Sequence, residues 1–366
     1  MGFDGPVSTD IEAYRAAATA WVQANAEHAP PDYGPICPID EIDRAQTWQR
    51  RLFDAGYAGI HWPAEFGGQG LSADHNAAFA EACQAAGVPS KFNMVGHVLT
   101  AGALLHYGTD EQKQAHLPVT ATGERTWCQL FSEPEAGSDL AGLKTTAIRD
   151  GDEWVVNGQK VWTSTGTHSD WAILMARTEP DATKHAGISF FVVDMASPGI
   201  EARPLVNMAG SAEFAEVFMT DVRLPADALL GERGQGWTVA MTVLTSERGS
   251  IGGAARALER RIDLTVEHAK GLDLDGVARE QLLDLWVHGQ AQLAMARQST
   301  HAGPQSSLSK LALADYRFDL AEFSVHAEGA AGMLAGRAAD GLAEAPGGWF
   351  GGGTTQVQRN LSLIHI

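Results

Sequence analysis

The sequence predicts an α+β multidomain protein in which an N-terminal helical domain, a central antiparallel β-domain and a C-terminal helical bundle follow one another. Three observations carry that expectation. Apolar residues recur at three- and four-residue steps up to about Arg125, at two-residue steps from Trp127 to about Leu230, and at helical steps again after Gly236. Strand and helix patterns do not alternate along the chain, which argues against a doubly wound parallel sheet. At 366 residues the chain also exceeds what one hydrophobic core usually spans. The expected domains are 1–125, 126–232 and 233–366.

The elements justify this in order. Ile11, Tyr14, Ala18 and Trp21 share one helix face, and an Ala-rich run covers Asn76 to Ala86. Between these helices His61 to Ser72 reads as a loop, because Pro63 and three glycines interrupt the pattern. Strand-rich runs follow at Trp154 to Val156, Val161 to Thr163, Trp171 to Met175 and Ile188 to Val193. Asp150-Gly151 and Asn157-Gly158 are expected hairpin turns, since both central residues of a type I′ turn need positive φ. Long helical patterns then run Trp237 to Ala269, Asp275 to Ser299 and Ser307 to about Ala331, before the glycine-rich stretch Gly347 to Gly353.

Composition excludes several roles. Apolar residues at 45% and charged residues at 19% describe an ordinary folded chain. The net charge of -19 opposes nucleic acid and anionic lipid, so a small-molecule partner is expected, with no nucleic acid and no membrane. Cys37, Cys83 and Cys128 are odd in number and far apart, without C-x-x-C or clustered histidines, so neither a disulfide framework nor a metal site is expected. The start lacks a basic segment followed by an apolar one, and a cytoplasmic location is expected.

The segment Leu130-Phe131-Ser132-Glu133-Pro134-Glu135-Ala136-Gly137-Ser138-Asp139 is the most specific feature. Alone it reads equally as a polar loop, and Trp162 alone as a core aromatic. Together with Gly56 to Ser72, Gly108 to Lys113 with Leu117-Pro118, Asn157 to Ser164 and Gly353 to Asn360, in that order, the chain resembles the acyl-CoA dehydrogenase family over roughly Ala55 to Asn360. The resemblance implies the family's fold, with a C-terminal four-helix bundle, and FAD as cofactor. It implies that Gln129, Leu130, Phe131, Ser132, Gly137, Trp162, Thr163 and Ser164 hold the flavin. Trp162 would lie on the ring system and the Ser164 hydroxyl near N5. Ser138 would face the CoA portion, and Gly353, Thr354 and Gln356 would meet a flavin nucleotide across a subunit interface. A planar cofactor with apolar faces and polar edges suits an aromatic wall and a few fixed donors.

The implied reaction removes an α-proton from an acyl-CoA thioester with a carboxylate while the β-carbon passes hydride to flavin N5. Electrons then leave through an electron-transferring flavoprotein. Many members carry the base just before the final Gly-Thr motif, where this chain has Gly352; a subset places a glutamate before an arginine on the first long helix of the last domain, and Glu247-Arg248 stands there. Independently of the family, Val239, Val243, Glu247, Ile251, Ala254 and Leu258 step by three or four, so Glu247 falls in an apolar stripe where desolvation raises a carboxyl pKa toward a useful base. The same stripe also suits a glutamate paired at a helix edge. Arg248, about 100° around the helix, would shape the site from the side, and the Gly352 N–H could still polarise the thioester.

Two departures matter. Glu267 to Asp273 lacks the arginine followed by Phe-Gly with which homotetrameric members reach a neighbour's flavin, so a heterotetramer with a related subunit stands beside a homo-oligomer. A partner subunit without turnover of its own, an acyl-CoA oxidase and a flavin monooxygenase are the alternative roles on this fold. The ending Leu361 to Ile366 matches what CTG TCT CTT ATA CAC ATC encodes, resembling a transposase adaptor in frame, and the gene product is expected to diverge after Asn360.

Overall fold

The computed structural model describes residues 8–249, 254–298 and 304–364. The chain divides into two compact units: Met1–Leu205 with Ala212–Ser246, and Val206–Ser211 with Glu247–Ile366.

The first unit opens with helices α1 (Ile11–Asn25), α2 (Ile42–Asp54) and α3 (Ala73–Ala86). Asp10 caps α1 by accepting the Ala13 N–H at 2.8 Å, which satisfies one of the donors a helix start leaves unpaired. Tyr14, Trp48 and Phe79 fill the core among these helices. The next helix begins irregularly. Val95–Thr100 is a π-helical turn that passes into α4 (Ala101–Tyr107), and α5 (Asp110–Ala121) follows. Asn93 tethers this turn to the sheet: its Oδ1 accepts from Gly96 N at 2.7 Å and from Trp127 N at 3.1 Å, while its Nδ2 donates to Trp127 O at 3.0 Å. The Gly-Thr-Asp-Glu-Gln motif is a capping box between Thr109 and Gln112, and Gln112 Nε2 reaches on to the carbonyls of Asp227 and Leu229.

The sheet has seven strands: β1 (Trp127–Leu130), β2 (Thr146–Asp150), β3 (Glu153–Ser164), β4 (Trp171–Arg177), β5 (Ile188–Asp194), β6 (Ile200–Leu205) and β7 (Phe214–Pro225). Their order is β1-β4-β2-β3-β7-β6, with β5 on β4. Pairing is antiparallel except where β4 runs parallel to β1 and touches β2 at Thr146. One face packs Trp127, Phe131, Ile173, Met175 and Phe190 with Trp62 and Leu99 of the helical part. The other buries Trp154, Val156, Phe191 and Val217.

Asp150-Gly151 turns between β2 and β3, with Gly151 at φ +61°. Asn157-Gly158 does not turn; it lies inside β3, at a register shift against β7. Asn157 uses its side chain across the strands, donating to Asp221 Oδ1 at 3.0 Å and accepting from Asp221 N at 2.9 Å. Gly158 is required for close approach, since a Cβ there would stand 2.3 Å from Thr145 Oγ1.

The single helical pattern from Trp237 to Ala269 becomes α6 (Gly236–Gly249) and α7 (Ala254–Lys270), and residues 250–253, including Ile251, lie outside the described ones. In the second unit α7, α8 (Gly276–Gln298) and α9 (Pro304–Ala327) meet around Leu258, Ile262, Leu293, Tyr316 and Leu320. Helices α10 (Arg337–Glu344), α11 (Gly347–Phe350) and α12 (Thr355–Ile364) pack on α9. The glycine-rich stretch therefore supplies one helical turn and a bend. His365 and Ile366 lie outside the described residues.

Candidate functional site

The distinctive loop grows out of β1. Leu130 and Phe131 are buried, Gln129 and Ser132 half-buried, and the chain then doubles back where Glu133 and Ala136 exchange both backbone hydrogen bonds at 3.1 Å. Glu133 points inward. It is 7% exposed and accepts from Lys144 N at 2.6 Å, from Thr145 N at 2.9 Å and from Lys160 Nζ at 2.8 Å. Lys160 is fully buried on β3 and also donates to Phe131 O at 3.0 Å. Beside it, Val161 N donates to Ser132 O at 2.9 Å.

The electrostatics follow from burial and pairing. Burial pushes the Lys160 ammonium down to about 8, against the opposing pull of Glu133. Burial pushes Glu133 upward, but the Lys160 charge and the hydrogen bonds it receives outweigh that, so its carboxyl lies below the ordinary range. The rest of the loop faces outward. Gly137, Ser138 and Asp139 are exposed, with open space where a Gly137 Cβ would stand, and Lys184 pairs with Asp139.

The strand after Lys160 is distorted. A second register shift against β7 spans Lys160 to Thr163, and within it Trp162 adopts φ +60°, a left-handed conformation costing a residue with a side chain about 1–2 kcal/mol. Trp162 is 56% exposed, its ring edge-on to Phe214 with centroids 5.8 Å apart. Strain that presents an indole to the outside points to a contact the chain makes with something else. Thr163 is fully buried, and its Oγ1 is a buried hydroxyl with no hydrogen-bond partner among the described residues. Ser164 and Thr165 line a cavity of about 20 Å³ with Phe92, Asn93 and Val95. The first unit thus brings Gln129 to Ser132 against the strand carrying Trp162 to Ser164.

Glu247 and Arg248 lie on the last turn of α6, and their side chains are outside the described ones. Val239 and Val243, earlier on the same stripe, are buried. In the second unit Gly352 and Gly353 take φ +67° and +96°, which glycine permits. Gln358 Nε2 donates to Gly352 O at 2.6 Å and Lys310 Nζ to Gly353 O at 2.7 Å, so both carbonyls are held. The Gly352 N–H has no partner among the described residues. Thr354 caps α12, its Oγ1 accepting from Val357 N at 3.3 Å, while Gln356 is exposed. Glu133, Lys160 and Gln358 lie in motifs the sequence singled out but were given no role there, and Lys310 lies outside them. Among the described residues no group of three His, Cys, Asp or Glu could hold a metal ion, and no helix is long and apolar enough to cross a membrane. Cys37, Cys83 and Cys128 are buried and free.

Comparison with known proteins matches three family models: acyl-CoA dehydrogenase N-terminal domain over residues 8–124, middle domain over 128–222 and C-terminal domain over 234–364. Acyl-CoA dehydrogenase IpdE1 of Mycobacterium tuberculosis is 39% identical over 337 residues, covering 88% of this chain and 87% of that protein. Among solved structures, the Tcur3481-Tcur3483 steroid ACAD superposes with a TM-score of 0.81 at 27% identity, covering 99% of this chain and 97% of that one. The ChsE4-ChsE5 complex from Mycobacterium tuberculosis gives 0.79 at 26% identity, covering 99% and 98%.

Proposed function

This chain belongs to the acyl-CoA dehydrogenase family, and from that premise we propose that it is an FAD-dependent enzyme that introduces an α,β double bond into an acyl-CoA thioester. The observation that carries the reading is the strained, exposed Trp162 beside the clamped loop Phe131 to Asp139. The residues present fit a flavin. The indole offers an apolar wall, the unpaired Thr163 hydroxyl a buried polar partner, and the Gln129 to Ser132 backbone and Ser164 an edge of polar groups. Bound flavin would supply the two-electron acceptor for a hydride from the β-carbon.

The chain's own residues do the rest. Glu247 takes the α-proton, a role suited to a carboxylate whose helix stripe is apolar. The Gly352 N–H, without a partner among the described residues, would serve as the fixed donor to the thioester oxygen, and Gln358 holds that backbone through the Gly352 carbonyl. Arg248 flanks the base, and Ser138, on the exposed arm of the loop, meets the CoA portion. Gly353, Thr354 and Gln356 would meet a flavin nucleotide across a subunit interface. The purified protein is expected to be yellow, and its colour to bleach on adding acyl-CoA without oxygen. Bleaching followed by rapid peroxide formation in air would make it an oxidase instead; hydroxylated product, a monooxygenase. Electron transfer to an added electron-transferring flavoprotein completes the cycle, in the cytoplasm.

A second reading concerns assembly. The stretch Glu267 to Asp273 has no arginine with a following Phe-Gly, and two similar structures are named as pairs of different chains. Both support a heteromer in which a related subunit completes the flavin site, over a homo-oligomer. The chain expressed alone would then purify with substoichiometric FAD, and co-expression with the partner would restore it.

A further inference from the structure

The glutamate of the Phe131 to Asp139 loop and the lysine of the Asn157 to Thr163 strand lie 27 residues apart and belong to different motifs, yet they meet as a buried ion pair, Lys160 Nζ to Glu133 Oε1 at 2.8 Å. Neither residue has an ordinary reason to be there. A lysine on a strand's inward side costs burial of a charge, and a carboxylate in an outward loop would be better solvated facing water. Two well-packed apolar side chains would serve stability at least as well.

What the pair does that apolar residues cannot is direct backbone. Lys160 Nζ donates to Phe131 O at 3.0 Å, and Glu133 accepts from Lys144 N at 2.6 Å and Thr145 N at 2.9 Å. Those three bonds and the ion pair fix both feet of the loop, while Val161 N to Ser132 O at 2.9 Å stitches its rim to β3. The same lysine stands at the start of the register shift that turns Trp162 to φ +60° and leaves it 56% exposed. With its side chain anchored inward, the strand has to absorb the extra residue immediately after it.

We infer that Glu133 and Lys160 are positioning residues for the flavin site, a single device that sets the backbone edge at Phe131 and Ser132 and the strained presentation of Trp162 together. The inference rests on the proposal that this surface holds flavin. It places the pair's benefit in cofactor geometry rather than in fold stability.

The test uses the full chain, with its partner subunit if one is required, and FAD as the probe. E133Q, K160M and the double variant E133Q/K160M are compared with wild type for FAD Kd, the visible spectrum of bound flavin and the urea midpoint. Each single change leaves one buried charge unpaired and should lower the midpoint. The double change leaves none and should recover most of it. Its FAD Kd is expected to remain at least about tenfold raised, with a shifted flavin spectrum, because both Lys160 bonds are gone and the Gln oxygen can accept only one of the two N–H bonds from Lys144 and Thr145. A double variant whose Kd and spectrum return with its stability overturns the inference. Should the methionine variants not fold, K160R decides: a raised Kd with a spectral shift at an unchanged midpoint supports it, and wild-type binding overturns it. A wild-type protein that takes up no FAD under any of these conditions overturns the flavin reading, and this inference with it.

Discussion

Removing the Trp162 side chain should separate flavin binding from stability. The indole is 56% exposed, so the share it buries is about 100 Å², which at about 25 cal/mol/Å² contributes about 2.5 kcal/mol. Its φ of +60° costs about 1–2 kcal/mol, which Trp162→Gly relieves, less about 0.5–1 kcal/mol for the freedom glycine gains when unfolded. The net loss of stability is about 2 kcal/mol, modest for deleting a tryptophan. An aromatic ring stacked on a planar heterocycle contributes about 1–3 kcal/mol, so FAD affinity should fall about five- to 150-fold. The assay is titration of apoprotein with FAD, with urea unfolding alongside. Trp154→Leu is the control: Trp154 is 3% exposed, near the start of β3 in the core of Val156, Phe191 and Val217, so it should cost stability and leave the FAD Kd nearly unchanged. An unchanged Kd in Trp162→Gly, or a comparable rise in Trp154→Leu, would remove Trp162 from this role.

Three further outcomes are expected. Glu247→Gln should keep bound flavin but lose at least about 10²-fold in turnover, the usual scale for a general base, and full turnover in steady-state assays would remove Glu247 from that role. Gly158→Ala should cost about 1–3 kcal/mol in urea unfolding from the clash of the new Cβ with Thr145 backbone and side chain at 2.3 to 2.8 Å, on top of the backbone strain at its own φ of +159°, whereas Gly151→Ala, with open space around it, adds only left-handed backbone strain of about 1–2 kcal/mol. Equal effects, or a larger one at Gly151, would contradict the packing around β3. Acid should destabilise the fold through His97 and His116, which burial pushes down to about 3 and about 4. Their folded pKa values lie below the unfolded value of about 6.5, so their contribution is complete above that pH and is lost as pH falls toward the folded values, at about 1.4 kcal/mol per pH unit for each. Replacing both with Gln should flatten the dependence of the urea midpoint between about pH 6.5 and 4.

Much of the architecture was legible because periodicity changes twice, and the loop from Phe131 to Asp139 was legible because its motif is distinctive. Other features were hidden for particular reasons. Asn157-Gly158 has the composition of a hairpin, but its glycine answers a neighbouring strand's Thr145, which local sequence cannot reveal. Val95–Thr100 reads as any apolar helix, and its π-helical turn depends on tertiary bonds from Asn93 to Gly96 and Trp127. Glu133 looks like one more acid in a solvated loop. Its partner did leave a signal: Trp154, Val156, Gly158 and Lys160 fall at two-residue steps, so Lys160 shares the inward series with Trp154 and Val156. A lysine in such a series asks for a carboxylate, and the nearest distinctive motif contains one.

The central claim is desaturation of an acyl thioester on bound flavin. Its most direct measurement is anaerobic titration of the yellow holoprotein with saturated acyl-CoA thioesters, straight, branched and steroid-derived, following the flavin band and identifying the product by mass spectrometry. Bleaching by at least one member of the panel is expected, with release of the matching 2-enoyl-CoA, two hydrogens lighter. A fully flavinylated protein, supplied with its partner subunit, that neither bleaches nor yields an enoyl product with any member would contradict it.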